Sequence, residues 1–435
     1  MALLVADPER TARQLTDDLR DDPVALPGAA VGLRPALLDA AVHDRLAEDA
    51  VRFVRLVQHA AWSRAADATR LAAALGLGPQ EYRPFGDPAL EAATAGLFAR
   101  PDALLSGGRA QFLECNFGGA LGGVMKSHLL LRSYAKLYPG LLGPAGTATA
   151  VDPLAAKAEV YREVCARLGV PPKVGILGTA REENIAGARY FGIEVDHLRS
   201  IGFDAAFVEP EDLDGGREAE HPVLSCHFIP SEWRRMGVPL EPVERAARAG
   251  VALLPSPASA LLSDKTLLAW LSDGSVPLEA ADRAFLDEVL PWTRQVLAGT
   301  TDFEGSRVDL LDLAVRRRET LVLKPARGFA GQGVHLGARS APEQWRRALD
   351  RAVAEGGWIL QRATDADPIP MDFHDPATGS MVSTDSNAVV SPFVMGDRPA
   401  GCMVRHAPGR TAGVVNRSAG AATNVAVRLP DSSQD

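Results

Sequence analysis

RPDALLSGGRAQFLECNFGG, residues 100–119, decides how the rest of the chain is read. Two short apolar runs flank the turn Ser106-Gly107-Gly108, the pattern of a β-hairpin. Asp102 and Glu114 are symmetric about Gly108, so antiparallel pairing of 102–105 with 111–116 sets them opposite each other on one face. Cross-strand Cβ atoms in such a pair are ~5 Å apart. Asn116 lies two residues past Glu114 and Arg100 two before Asp102, so both share that face. Two carboxylates and an amide oxygen on rigid strands make a hard oxygen site suited to Mg²⁺. Brought close without a cation, the two acids would perturb each other's ionisation. The arginine could hold a carboxylate or phosphoryl oxygen bidentately. Acids on hairpins are also ordinary solvent-facing residues, and the hairpin alone leaves both readings open.

Downstream, GALGGVMKSHLLLRSYAKL reads as a glycine loop entering a helix. Residues 155–260 alternate helix and strand: AAKAEVYREVCARLG, KVGILG, NIAGARYFGIEVDHLRSIG, AAFVEP, VLSCHFI, PVERAARAG and VALLP. That alternation predicts a parallel sheet. Gly175 and Gly178 lack the GxGxxG pattern and read as a strand–turn feature rather than a dinucleotide fingerprint. Residues 363–375, TDADPIPMDFHDP, read as a proline- and acid-rich loop, and 380–428 return to strands. Upstream, residues 1–75 read as helices, from apolar spacing of three and four in VHDRLAEDAVRFVRLVQHAAWSRAADATRLAAAL. The ending PDSSQD reads as a disordered tail.

Four further features carry candidate chemistry. In LVLKPARGFAGQGVHLG a strand ends at Lys324, and a loop with Gly328, Gly331 and Gly333 follows. Glycines let backbone N–H groups approach phosphates, and the lysine adds a point charge. Strands flank the loop and the lysine precedes the glycines, so this is not the GxxxxGK[ST] loop; a plain glycine turn has the same pattern. Lys265 opens a helix after PSPAS, a position common for surface lysines. GWILQRATD ends a strand at Gln361 before an acidic loop, which could serve as an adenine-binding hinge. In GCMVRHAPGRTAGVVNRSAGAATNV, Arg405 sits mid-strand among apolar neighbours, where a charge must be paired. It could stabilise transferred phosphoryl charge or simply pair with a carboxylate. Asn416 reads as part of the next strand.

The chain has 435 residues and a net charge of −9. The length suggests about two to four domains, and the acidity argues against nucleic acid or an anionic membrane as main partner. No run of 18 apolar residues occurs, and the apolar run in MALLVADPERTARQ is too short for a secretory leader. Cys115, Cys165, Cys226 and Cys402 are far apart, without zinc-ligand spacing, and read as reduced thiols of a cytoplasmic protein.

Taken together, these motifs resemble the circularly permuted ATP-grasp ligases of the glutathionylspermidine synthase type, over roughly residues 95–428 and for the synthetase part only. In that family a hairpin carries an arginine, an aspartate, a glutamate and an asparagine in this order and spacing, matched by Arg100, Asp102, Glu114 and Asn116. A lysine ahead of a helix, a Lys-Pro-plus-glycine loop, a strand ending in glutamine and a late arginine follow, matched by Lys265, Lys324 to Gly333, Gln361 and Arg405. An unpermuted ATP-grasp protein places the acid–asparagine motif last.

The resemblance implies an α/β (α+β) protein with an ATP-grasp fold, a Rossmann-like pre-ATP-grasp domain and N-terminal helices. It implies a helical region at 1–90, a metal-binding part of the core at 91–150, and the α/β domain at 151–260. An ATP-binding subdomain with a glycine lid at 261–362, remaining core strands at 363–428 and a tail at 429–435 complete the division. ATP and Mg²⁺ are the implied cofactors. Asp102, Glu114 and Asn116 are the implied metal ligands; Lys265, Lys324, Gly328, Gly331, Gly333 and Gln361 bind ATP, and Arg100 and Arg405 act on the transferred group. The implied activity joins a small carboxylic acid to an amine, amino acids or short peptides, through an acyl-phosphate with release of ADP and phosphate. The glutathione and spermidine pair itself is not carried over. A carboxylate–thiol ligase, a phosphotransferase on the same fold, and an inactive nucleotide-binding homologue are the alternatives.

Overall fold

The computed structural model describes residues 5, 7–20, 30–143, 146–182, 187–213, 220–328, 331–375, 378–407 and 421–431. Among them, strands form an eight-stranded sheet, two four-stranded sheets and a two-stranded ribbon, Thr300–Phe303 with Ser306–Asp309.

The eight-stranded sheet runs in the order Val31–Gly32, Ile369–Asp375, Ser380–Met395, Arg398–Ala407, Ala422–Arg428, Ala36–Leu38. The hairpin Phe98–Ser106/Arg109–Phe117 branches from it through pairs such as Val390 with Ala103. Only residues 33–35 separate the first and last strands of that order. Four residue steps span at most about 14 Å, so the sheet curls until its two ends nearly meet.

This corrects the all-helical reading of residues 1–75. Helices do cover Pro8–Asp18, Ala40–Trp62 and Ala68–Ala74, but Val31–Gly32 and Ala36–Leu38 are strands, the first paired with His374 and Phe373. Pro35 favours extended backbone before it and donates no N–H, and strands of two and three residues show no periodicity. The loop expected at 363–375 is corrected too: Ile369–Asp375 pairs with Ser380–Ser386. Ile369, Met371 and Phe373 are buried at every second position, a strand pattern that the prolines and acids mask. Of the expected tail, Leu429 donates to the Leu38 carbonyl and Asp431 pairs with Arg428 at 2.9 Å; residues 432–435 lie outside the described residues, as does Asn416.

The 23-residue helix Ala40–Trp62 buries Leu46, Ala50, Phe53, Val54 and Val57 at three and four spacing. Phe53 stacks on Phe112 of the hairpin with ring centroids 4.3 Å apart. Ala99, Ala103, Ala110, Phe112 and Cys115 belong to that same core. One face of the hairpin is therefore fixed in a core while the alternate face is free to carry polar groups.

The parallel sheet expected within 155–260 is present, in the order Asp204–Val208, Lys173–Leu177, Val223–Cys226, Ala252–Leu254. A Cβ on Gly175 would lie 2.6 Å from Leu224, and one on Gly178 2.3 Å from the Phe191 ring, so close packing accounts for both glycines. The last sheet is antiparallel, in the order His335–Leu336, Leu321–Pro325, Trp358–Arg362, Thr293–Gln295.

Candidate active site

The hairpin turn is Gly107-Gly108, with φ of 58° and 71°, the positive values that a two-residue type I′ turn needs at both positions. Regular pairing from this turn sets Ala103 against Phe112 and would set Asp102 against Leu113. A bulge intervenes there, and Asp102 pairs with Glu114 and Arg100 with Asn116. Leu113 is thus an extra residue that turns Glu114 and Asn116 onto the face of Asp102. The expected partners are right, but the bulge supplies them: the turn centres between the two glycines, not on Gly108.

On that face the groups are tightly joined. Arg100 Nε donates to Asp102 Oδ1 at 3.2 Å and Arg100 Nη1 to the Gly122 carbonyl at 2.6 Å. Arg405, paired with Val389 in the same eight-stranded sheet, reaches Asp102 Oδ2 with Nη2 at 2.6 Å. Asp102 is 3% exposed. Burial alone would raise its carboxyl pKa, but the guanidinium groups of Arg100 and Arg405 hold it well below the usual carboxylate range. Arg405 is therefore paired, as a charge in that strand must be, and its partner lies in the candidate site.

Glu114 faces Lys265, with Oε2 3.3 Å from Nζ. Lys265 precedes the helix Thr266–Ser272; its N–H bonds the Ala326 carbonyl at 2.9 Å, and its Nζ donates to the Gly328 carbonyl at 3.3 Å. The helix start is so tied to the end of the strand bearing Lys324. Lys324 Nζ donates to Gln361 Oε1 at 2.6 Å. Burial pushes the Lys324 ammonium down to about 8, with Glu114 opposing and Lys265 adding to the fall.

These groups meet across a cavity of about 1000 Å³. Arg100, Asp102, Glu114 and Asn116 of the hairpin and Arg405 of the same eight-stranded sheet line it, together with Lys324, Gly331 and Gln361 from the antiparallel sheet and the loop after Lys324. Lys265 adjoins through Glu114 and Gly328. Gly333 packs elsewhere: with φ of 71°, a Cβ there would meet Pro325 at 2.8 Å. Phe329 and Ala330 of the same loop lie outside the described residues.

Sequence reading passed over other lining residues. Asn387 and Val389 share a strand face with Ser391, an alternation visible in SNAVVS. Phe228, Ile229 and Pro230 follow strand Val223–Cys226 at the carboxyl edge of the parallel sheet. The first strand of that sheet, Lys173–Leu177, has its successors on opposite sides, so the cavity opens beside a topological switch point, where open α/β sheets bind ligands.

Asp102, Glu114 and Asn116 offer oxygens to a hard divalent ion. Asn116 Nδ2 lies 3.3 Å from Asp102 Oδ2 and 3.5 Å from Glu114 Oε1. Turning the side-chain amide over, which exchanges its O and N, points three oxygens at one region. Among the described residues no group of three or more His, Cys, Asp and Glu could hold a metal. The set fits Mg²⁺ in its usual mode, with one or two carboxylates and the remaining ligands from phosphates and water.

No protein-family model and no curated protein matches the chain. Among solved structures, a glutathione synthetase-like effector from Globodera pallida, in apo form, aligns over 98% of this chain and 97% of its own, with TM-score 0.53 and 12% identity. A putative gamma-glutamylcysteine synthetase from Methylobacillus flagellatus aligns over 76% of this chain and 80% of its own, with TM-score 0.41 and 14% identity. A D-cycloserine synthetase covers 93% of its own length and 60% of this chain, with TM-score 0.29 and 16% identity. Over nearly its whole length, this chain shares the fold of the glutathione synthetase-like effector.

Proposed function

We propose that the chain is an ATP-dependent carboxylate–amine ligase on a circularly permuted ATP-grasp scaffold. The observation that carries this reading is one cavity lined by Asp102, Glu114, Asn116, Arg100 and Arg405 together with Lys324 and Gln361. The hairpin groups and Arg405 suit a metal and a reacting acid; Lys324 suits a triphosphate. The fold shared with a glutathione synthetase-like effector is in keeping with it.

In this reading Lys324 and Lys265 neutralise nucleotide phosphates, and Gly331 at the cavity supplies a backbone N–H beside them. The end of the strand Trp358–Arg362 and the segment 363–365 form the adenine edge. Asp102, Glu114 and Asn116 would hold Mg²⁺, which would supply neutralisation of the phosphate charge. Lys265 pairs with Glu114 and Arg405 with Asp102. Phosphates would take over those cations.

The reacting acid lies between the arginines and the wall Phe228–Pro230. Its carboxylate oxygen attacks the γ-phosphorus, and the bond to the β-phosphate oxygen breaks, giving ADP and an acyl-phosphate. An amine then attacks the acyl carbon; the C–O bond to phosphate breaks, and the amide, phosphate and a proton are released. Arg100 and Arg405 stabilise the charge that develops at the phosphoryl and carbonyl oxygens. Enclosure matters because water hydrolyses an acyl-phosphate.

The substrates fit the amino-acid or short-peptide class. The net charge of −9 does not favour nucleic acid, and no described helix is long and apolar enough to cross a membrane. The test is a screen of amino-acid and dipeptide pairs with ATP and Mg²⁺, scored for ADP and followed by mass analysis. ADP should rise only when both an acid and an amine are present, with a product mass of acid plus amine less one water. AMP as the nucleotide product, or ATP binding with no turnover across the panel, would exclude the proposal. A thioester product would reassign the acceptor.

A further inference from the structure

Thr293 carries no motif, is 0% exposed and does not line the cavity, yet its hydroxyl is the far end of a bonded chain that terminates on Lys324. It opens the strand Thr293–Gln295 and pairs with Gln361 across the sheet. Its Oγ1 donates to the Pro291 carbonyl at 2.7 Å. A hydroxyl has one hydrogen, so that bond leaves Oγ1 to act as an acceptor. Gln361 Nε2 donates to it at 3.0 Å. The amide is thereby oriented with its carbonyl oxygen toward Lys324, whose Nζ donates to it at 2.6 Å. An ammonium has only donors, so both ends of the chain demand the same orientation of Gln361. One of the three lysine N–H groups is used, and two remain for the cavity.

The backbone of Thr293 makes the second link. Its N–H donates to Ser272 Oγ at 2.9 Å. Ser272 ends the helix Thr266–Ser272, whose first turn is preceded by Lys265. The same Oγ accepts from Arg294 Nη1 at 2.9 Å. One buried residue thus joins the support of Lys324 to the helix that presents Lys265.

We propose that Thr293 is a positioning residue for the nucleotide phosphates: through Gln361 it fixes the direction in which Lys324 presents its ammonium, and through Ser272 it keeps the Lys265 helix in register with it. This rests on the reading of Lys324 as a phosphate ligand. In Thr293→Val the shape is kept, but Gln361 Nε2 loses its acceptor and the amide its fixed direction. Thr293→Ser keeps the hydroxyl.

The experiment is calorimetric titration of the full chain with Mg-ATP, with thermal unfolding recorded for each variant. Thr293→Val should weaken ATP binding on the order of tenfold, the effect of one unsatisfied buried donor, and Thr293→Ser should restore the Kd to within about twofold of the parent. Because Thr293 acts through Gln361, Thr293→Val added to Gln361→Met should weaken binding no further than Gln361→Met alone. A lowered unfolding temperature with unchanged Kd makes Thr293 merely structural and overturns the inference. Equal additional weakening on the Gln361→Met background overturns it as well. Should Thr293→Val not fold, Thr293→Cys, with its weak sulfur acceptor, takes its place under the same expectations. Lys324→Ala separates the two layers. If it weakens ATP binding and Thr293→Val does not, only this inference fails; if neither does, the phosphate reading of the cavity fails with it.

Discussion

Glu114→Gln is expected to abolish ADP formation in an otherwise folded protein. The side chain is 31% exposed at the cavity and pairs with Lys265 at 3.3 Å. Lys265 is only 8% exposed, so its ammonium loses a charged partner; glutamine keeps the shape and an oxygen acceptor for it, so the unfolding temperature should fall while the protein still folds. Function is another matter. The amide replaces one of only two carboxylates in the proposed metal site, and it also removes the charge that balances Lys265. Loss of a preorganised electrostatic contact lowers kcat by about 10²–10³, and losing a metal ligand as well should push turnover to background. An ADP-coupled assay beside a melting curve decides it; parental ADP formation by Glu114→Gln would remove the metal assignment.

Lys324→Ala should raise the Kd for ATP on the order of a hundredfold, since a hydrogen bond to a charged group contributes about 1.5–3 kcal/mol. The lysine also gives a pH signature. Its ammonium is pushed down to about 8 by burial, and bound phosphate favours the charged form. Below pH 8 the free protein already holds the proton, so ATP affinity is full there. As pH rises through about 8 the proton must be supplied on binding, and affinity should fall, by up to tenfold per pH unit until the pKa of the complex is reached. The same lowered pKa means the folded state binds this proton less readily than the unfolded chain. This lysine therefore disfavours folding at neutral pH, and the penalty fades as pH rises from about 8 towards its ordinary value. Titrations across pH 7–9.5 should show the decline for the parent and lose it for Lys324→Ala. Matching curves at both levels would take Lys324 away from the phosphates.

How much of this could be read without coordinates follows from sequence distance and element length. Arg100, Asp102, Glu114 and Asn116 sit on one short hairpin, so a glycine turn and a period of two bring them to one face. The bulge at Leu113 was invisible, because nothing local distinguishes an extra residue from a shifted turn. The ordering of Lys265, Lys324, Gln361 and Arg405 was legible only as a family pattern; that Arg405 meets Asp102 depends on which strands of the curled sheet are neighbours. The alternating strands and helices of 155–260 gave the parallel sheet, whereas Phe228–Pro230 emerge only once the strand order places a switch point beside the hairpin. Val31–Gly32 and Ala36–Leu38 were missed because strands that short are defined by their partners, not by pattern. Thr293 had no local signal at all: its meaning lies in a bond to a residue 68 positions away.

Oxygen transfer tests the ligase account most directly. With an acid and an amine that support ADP release, the acid is supplied with ¹⁸O in its carboxylate and the inorganic phosphate is analysed by mass. Attack of the carboxylate on the γ-phosphorus, followed by amine attack at carbon, carries one carboxylate oxygen into phosphate, so singly labelled phosphate should accumulate in step with amide. Unlabelled phosphate, or label leaving with AMP, would contradict activation of the acid by γ-phosphoryl transfer.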